Sequence, residues 1–308
     1  MKDLHKKTVL VTGGTGFIGK ALCKKLIHLE ARVYVLTRRQ SNTCDPDTQG
    51  VRYIKSLEDI SDDNVDIVIN LAGEPVAQRW TKKAKEKIWN SRIDLTSSII
   101  SYIKRSPSKP SLLLNASAIG FYGTDRELEF YENTPHAPGG VFSRALCSAW
   151  EMEASKAELY GVRTVFMRIG AVLEKDGGML AKLLPAFRLG LGGPIGDGRQ
   201  WLSWIDREDL IDLILFAIGN PSLSGAINAT TPNPVRNERF AKTLASILDR
   251  PAFIRTPGFI LRLIFGEMAD ELMLQGQKVI PGKALESGFI FKYPTLDLSL
   301  KHILERKQ

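Results

Sequence analysis

Short, wholly apolar runs along the chain alternate with stretches in which apolar side chains recur every three or four positions. The run 8–12 predicts a strand. Residues 17–29 predict a helix, with Ile18, Leu22, Leu26 and Leu29 on one face. Further strands are expected at 32–37, 51–54, 65–71, 112–116 and 162–168. Helices are expected at 81–105, with a break near Asn90, and at 143–159. The run 65–71 is almost continuously apolar, as a strand covered on both faces must be. Past residue 170 the pattern loosens. A Gly-rich loop at 189–198 precedes a helix at 207–218 and a strand at 225–229. The rest reads as mostly helical, punctuated by Pro251, Pro257, Gly266, Pro281 and Gly288.

The first strand runs straight into Thr12-Gly13-Gly14-Thr15-Gly16-Phe17-Ile18-Gly19. Glycine lets backbone turn tightly and approach a pyrophosphate, and the helix that follows offers free N–H donors at its start. Strand, glycine triplet and helix in that order point to dinucleotide binding. The fold class expected is therefore α/β: a Rossmann-type, doubly wound parallel sheet with a smaller, mostly helical C-terminal lobe. The dinucleotide domain is expected over 1–170, with segments at about 200–230 returning to it. Residues 171–308 form the substrate lobe. The second strand ends Thr37-Arg38-Arg39, with no carboxylate to hold a ribose 2′-hydroxyl. Two guanidiniums and a hydroxyl suit a 2′-phosphate, so NADP(H) is expected over NAD(H). Solvated loop arginines would look the same in sequence.

At 308 residues the chain can hold one large domain and a lobe. Its net charge of +8 is spread along the sequence, which argues against a dedicated nucleic-acid surface. Cys23, Cys44, Cys147 and four scattered histidines form no disulfide framework and no metal spacing, so no metal is expected. A strand beginning by Thr8 leaves no room for a signal peptide, and no apolar run is long enough to span a membrane. A reducing, cytoplasmic setting is expected.

Several longer strings carry a family resemblance: TGGTGFIG; Asn70-Leu71-Ala72-Gly73-Glu74-Pro75; Arg79-Trp80; the run Arg188–Gly196; and Gly276-Gln277-Lys278-Val279-Ile280-Pro281. Across essentially its whole length the chain resembles the extended short-chain dehydrogenase/reductases. It is most similar to their atypical "epimerase family" subgroup, often described as nucleoside-diphosphate-sugar epimerases or NADP-binding oxidoreductases. The resemblance implies that Gly13, Thr15, Gly16, Phe17 and Ile18 wrap the pyrophosphate. It implies that Thr37 and Arg38 take the 2′-phosphate, and that Leu71, Ala72 and Gly73 line the middle of the cofactor. Arg92 and Val172 match further cofactor-contacting positions.

One part of the superfamily pattern is missing. Its members carry Tyr-x-x-x-Lys on the helix after the fifth strand, one turn apart on one face, where the Lys lowers the phenol pKa. Here Glu151 registers that helix so that Ser143 falls at the Tyr position and Cys147 at the Lys position. Cys147 reads as a buried structural thiol rather than a nucleophile. Ser117, ending the fifth strand, matches the superfamily's active-site serine. Tyr122, on the following loop, is the remaining candidate phenolic acid, or an aromatic that shapes the pocket.

Toward the substrate, Arg188 and Arg199 flank the Gly-rich loop, where they would clamp an anion, and Trp201 and Trp204 would stack on a ring. Core tryptophans and exposed arginines are the bland alternative. Residues 79–89 mix cations with Trp80 and Trp89, which fits a solvated helix burying two tryptophans better than a nucleic-acid surface. The sequence therefore leads to an NADP(H)-dependent oxidoreductase or epimerase-like enzyme acting on a small polar substrate of anionic character. The alternative is an NADP-binding sensor or scaffold without catalysis. A homodimer is an expected assembly; nucleic acid and membrane are not expected partners.

Overall fold

Within the first thirty-eight residues two apolar runs, Thr8–Thr12 and Arg32–Leu36, already meet as a parallel pair. The computed structural model describes residues 4–38, 50–60, 64–137 and 141–306; Arg39 and Cys44 lie outside them. The first half runs β1 (Thr8–Thr12), α1 (Gly19–His28), β2 (Arg32–Leu36), β3 (Val51–Ile54), β4 (Ile67–Asn70), α2 (Lys82–Arg105), β5 (Leu112–Ala118), β6 (Asp125–Phe130) and α3 (Val141–Ser155). Next come β7 (Arg163–Ile169), β8 (Ala171–Glu174), α4 (Gly178–Arg188), β9 (Trp201–Leu202), β10 (Trp204–Asp206), α5 (Arg207–Gly219) and β11 (Gly225–Ala229). The chain closes with β12 (Val235–Arg236), α6 (Asn237–Ile247), α7 (Gly258–Phe265), β13 (Gln277–Val279), α8 (Gly282–Glu286) and α9 (Leu296–Glu305).

Seven strands form one sheet in the order β3-β2-β1-β4-β5-β7-β11, all neighbours parallel. The order reverses at β1: β2 lies on one side and β4 on the other. That switch point opens a crevice at the carboxyl ends of the strands, where ligands of such sheets bind. Alternate side chains explain the apolar runs. Val9, Val11, Val33 and Ile69 enter one core with α1 and α5, while Leu10, Tyr34, Val68 and Leu113 enter the other with Ile99 and Ile103 of α2.

Helix α2 continues unbroken through Asn90, contrary to the break expected there. Asn90 is exposed, and a single exposed Asn costs a helix interior only a few tenths of a kcal/mol. Thr81 caps this helix by accepting from the Ala84 N–H at 3.1 Å. Trp80 and Trp89 turn inward onto Ile88, Leu146 and Met268, and Lys82, Lys83 and Lys87 stay in solvent.

The lobe has its own core, in which Leu180, Leu184, Trp204, Phe240, Leu244 and Leu300 pack together from α4, β10, α6 and α9. Asp206 joins this lobe to the sheet layer. It caps α5 through the Glu208 N–H (2.8 Å) and accepts from Ser299 of α9 (2.8 Å). Burial pushes its carboxyl up to about 6.

Candidate functional site

The turn after β1 is shaped by what its glycines lack. Gly13 has φ +71°, and a Cβ there would lie 2.8 Å from the Leu71 carbonyl carbon and 2.9 Å from the Ala72 nitrogen. The turn can therefore press against the backbone that leaves β4, as the Leu71–Gly73 string requires. A Cβ on Gly19 would lie 2.2 Å from the Gly13 carbonyl oxygen, so only glycine lets α1 start this close to the turn. The first turn of α1 carries no acidic side chain, and its N-cap, Ile18, has no side-chain acceptor to offer. The start of α1 faces this turn, although its Lys20 N–H already donates to the Gly16 carbonyl (3.0 Å). This backbone cradle fits a dinucleotide pyrophosphate.

The strand ends are tied together beneath the turn. Thr12 donates to Asn70 (2.6 Å), and Asn70 donates to Asn115 (2.6 Å) and to Thr96 (3.0 Å). Thr37 and the exposed Arg38 leave β2 at the same end of the sheet, with Leu36 paired to Thr12. Phe17 reaches into the lobe: its ring lies against Gly177 and Gly178, beside Val172 of β8, with the Arg207 guanidinium 5.1 Å from its centroid. The structure thus gathers Gly13–Ile18, Thr37, Arg38, Leu71–Gly73 and Val172 at one edge.

Arg92 links this edge to α3. Its guanidinium lies where a Gly73 Cβ would sit, with Cζ at 2.6 Å, and stands 5.1 Å from the Trp150 ring. It donates to the Glu74 and Ile88 carbonyls, both at 3.1 Å. Burial lowers its pKa, and the nearby Cys147 and Glu74 partly offset this. Cys147 is itself buried, which pushes its thiol up to about 11.

At the start of α3 a carboxylate arrives from the other end of the chain. Glu271, in a π-helical turn Ala269–Leu274, accepts from the Ser143 hydroxyl (2.7 Å), the Ser143 N–H (2.9 Å) and the Phe142 N–H (3.1 Å). π-Helical turns cluster at functional sites because they re-aim one side chain. Ser143 also stands next to the turn that follows β5, since a Cβ on Gly120 would lie 3.0 Å from the Ser143 Cβ. Sequence spacing could not reveal this pair, because its partners are 128 positions apart.

Three expected site residues, Ser117, Tyr122 and Trp204, are placed differently from their sequence reading, while Arg188 stays exposed beside the Gly-rich loop. Ser117 is buried and donates its proton to Glu151 (2.7 Å), so it faces inward rather than toward a substrate oxygen. Glu151 is held in a fork by Arg168, with Nε at 2.9 Å and Nη2 at 2.8 Å. Tyr122 is fully buried in a 3-10 turn, not on an open loop. It donates to Asn228 (2.7 Å) and accepts from Arg168 (2.9 Å), and burial pushes its phenol up to about 12. Its proton is committed to Asn228, so it serves as a packing aromatic within a polar network. Trp204 is fully enclosed in the lobe core and cannot stack on a ligand. Arg188 ends α4, where its carbonyl accepts from Arg250 (2.9 Å).

Trp201 and Arg199 do meet other cations. The Arg236 guanidinium lies 3.9 Å from the Trp201 ring centroid and donates to the Arg199 carbonyl (2.5 Å). The Trp201 indole donates to the Arg126 carbonyl (3.0 Å). An open groove of about 300 Å³ runs alongside, lined by Thr124, Asp125, Arg126, Gln275 and Gly276. The segment that supplies Glu271 also supplies Gln275.

Comparison with known proteins fits this geometry. The family model described as "NAD dependent epimerase/dehydratase family" matches residues 9–229, and a domain of unknown function, DUF1731, matches residues 256–303. The chain is 41% identical to the Arabidopsis thaliana epimerase family protein SDR39U1 homolog, chloroplastic, over 97% of this chain and 87% of that protein. It is 37% identical to the Bacillus subtilis epimerase family protein YfhF, over 96% and 97% respectively. Among solved structures, human epimerase family protein SDR39U1 (isoform 2), crystallised with NADPH, superposes with a TM-score of 0.87. It is 31% identical and covers 97% of this chain and 100% of that one. A Bacillus cereus UDP-glucuronic acid 4-epimerase, 17% identical with a TM-score of 0.76 and covering 97% and 98%, shares the fold.

Proposed function

The chain belongs to the NAD dependent epimerase/dehydratase family, and we propose that it is an NADP(H)-dependent oxidoreductase acting on a small, anionic, hydroxyl- or carbonyl-bearing substrate. The observation that carries this reading is the convergence of the glycine turn, Arg38 and Leu71–Gly73 at the switch point of the sheet. The NADPH in the human relative's structure supports the choice of cofactor. The leading N–H groups of α1 would hold the pyrophosphate, and Arg38 would hold the 2′-phosphate. When bound, the cofactor supplies the hydride exchange.

The proton side of the reaction falls to Ser143 and Glu271. In the oxidising direction a substrate hydroxyl gives its proton to Ser143 Oγ as Ser143 passes its own to Glu271 Oε2. In the reducing direction the same protons run back. The Phe142 and Ser143 N–H groups hold the carboxylate in line for this exchange. Arg92, between Gly73 and Cys147, supplies the positive charge that the expected lysine would have brought. The substrate reading rests on the groove near Trp201, where Arg199 and Arg236 add positive charge beside a lining that holds Asp125 and Arg126, the latter paired with Asp197.

Fluorescence titration with NADPH and NADH tests the cofactor half, and NADH binding as tightly as NADPH would overturn it. Following nicotinamide absorbance with nucleotide sugars and simple hydroxy acids tests the reaction half. A second reading, an NADP-binding sensor without turnover, is favoured by one observation: the residue at the lysine position is an uncharged, buried Cys147. Tight NADPH binding with no hydride transfer to or from any compound of that panel would select it.

A further inference from the structure

Helix α7 is apolar nearly all round, yet Leu261 is the one residue along it that is buried. Its outer face leaves Phe259 68% exposed, Leu263 73% and Ile264 52%. Just before it, Phe253 is 77% exposed. The neighbouring loop adds Leu191, because Thr256 donates to the Pro194 carbonyl (2.9 Å) and so lays 189–195 alongside 250–256. An exposed apolar surface of this kind marks an interaction site, since water alone does not compensate it.

The charges around this surface identify what it meets. Residues 250–266 contain Arg250, Arg255 and Arg262 and no Asp or Glu, and Arg188 borders the adjoining loop. All four arginines are exposed. Arg262 pairs with Asp270 through Nε (2.8 Å), which leaves its terminal amino groups for another acceptor. A two-fold contact between copies would bring two sets of these arginines together, with Glu238 and Asp270, already beside Arg255 and Arg262, to offset them. An anionic bilayer answers both features: phosphate headgroups take the guanidiniums, while the acyl boundary takes Phe and Leu side chains. The net charge of +8 draws the whole chain to such a surface.

We propose that α7, with the 250–256 strand of chain and the 189–195 loop, is a docking face that seats the protein peripherally on an anionic lipid surface. No helix among the described residues is long and apolar enough to cross a membrane, so the contact is with one leaflet. It does not depend on the NADP(H) reading, because α7 contributes nothing to the glycine turn after β1.

Vesicle co-sedimentation tests the proposal with the full chain. One set of vesicles is pure phosphatidylcholine; the other mixes phosphatidylcholine with phosphatidylglycerol. The wild type is expected to sediment with the mixed vesicles and not with the neutral ones. Phe259→Ser with Leu263→Ser, both exposed positions, is expected to weaken this binding at least about tenfold, from the loss of two apolar side chains at the interface. Arg255→Gln with Arg262→Gln is expected to abolish the preference for phosphatidylglycerol. Unchanged circular dichroism and melting temperature show that the variants stay folded. Failure to sediment with anionic vesicles, equal binding to both sets, or binding unaffected by the Ser variants would overturn the proposal. So would a concentration-dependent dimer that the same Ser variants disperse.

Discussion

The turn after β1 and the start of α3 lie at the same end of the sheet, but they are made in opposite ways. The turn is defined by missing atoms: Gly13 and Gly19 leave room that a Cβ would fill, and the residues responsible sit within one short string. The start of α3 is defined by a side chain imported from far along the sequence, Glu271, which meets Ser143 only after the lobe has folded back. Below it, Ser117, Glu151, Arg168, Tyr122 and Asn228 form a chain of buried hydrogen bonds drawn from β5, α3, β7, the 3-10 turn after β5, and β11. A cofactor site made by backbone geometry tolerates little variation. A proton site of the kind we propose at Ser143, made by side chains, depends on contacts between distant parts of the chain.

The sharpest way to break this comparison is at Glu271. Glu271→Gln keeps the size and most hydrogen bonds but cannot take a proton. Turnover is expected to fall by about 10²–10⁴-fold, with NADPH affinity unchanged within error. Measured kcat beside a fluorescence titration separates the two. Equal kcat would return the proton step to another group.

The buried pair comes next. Arg168→Met leaves Glu151 buried without its fork and Tyr122 without a donor. It is expected to cost about 3–5 kcal/mol of stability in urea unfolding, whereas replacing both Arg168 and Glu151 with apolar residues costs much less. A cost near zero for the single change would show that water already reaches the pair.

Arg38→Ala tests the other region. Loss of a charge-assisted contact to the 2′-phosphate is expected to weaken NADPH by roughly 10–100-fold, about 1.5–3 kcal/mol, and to leave NADH unaffected. Equal weakening of both cofactors would put Arg38 on the pyrophosphate instead.

A further effect concerns pH. The Asp206 carboxyl lies near 6 in the folded chain, above its ordinary 3.8, so the folded state holds the proton more tightly. Its favourable contribution is complete below the ordinary value and is lost as pH rises through about 6. Asp206→Asn is therefore expected to gain up to about 2–3 kcal/mol over the wild type between pH 4 and pH 7. Paired urea titrations at the two pH values check this, and a gain that shrinks with rising pH would contradict the sign.

What was legible in the sequence follows the same division. The parallel sheet was legible because alternate residues of each strand had to enter two separate cores, which left apolar runs at 8–12 and 65–71. The glycine string was legible because steric constraint acts between neighbours. Trp204 and Tyr122 were misplaced because an aromatic in a Gly-rich region looks the same whether it faces a ligand or a core. Burial depends on α6, α9 and β11 closing over it. Asn90 failed to break α2 because its side chain faces solvent, where local preference is too weak to stop a helix packed on both flanks. Glu271 carried no signal, since a carboxylate among the mostly apolar residues 268–274 gains meaning only from the π-helical turn that aims it at Ser143.

A crystal structure with NADP⁺ bound tests the central claim most directly. The expected result has the pyrophosphate on the N–H groups after Gly13 and the 2′-phosphate on Arg38. The nicotinamide opens on the Ser143 hydroxyl while Glu271 still accepts from it. A nicotinamide turned away from Ser143, or a Glu271 that has left α3 once the cofactor is in place, would contradict it.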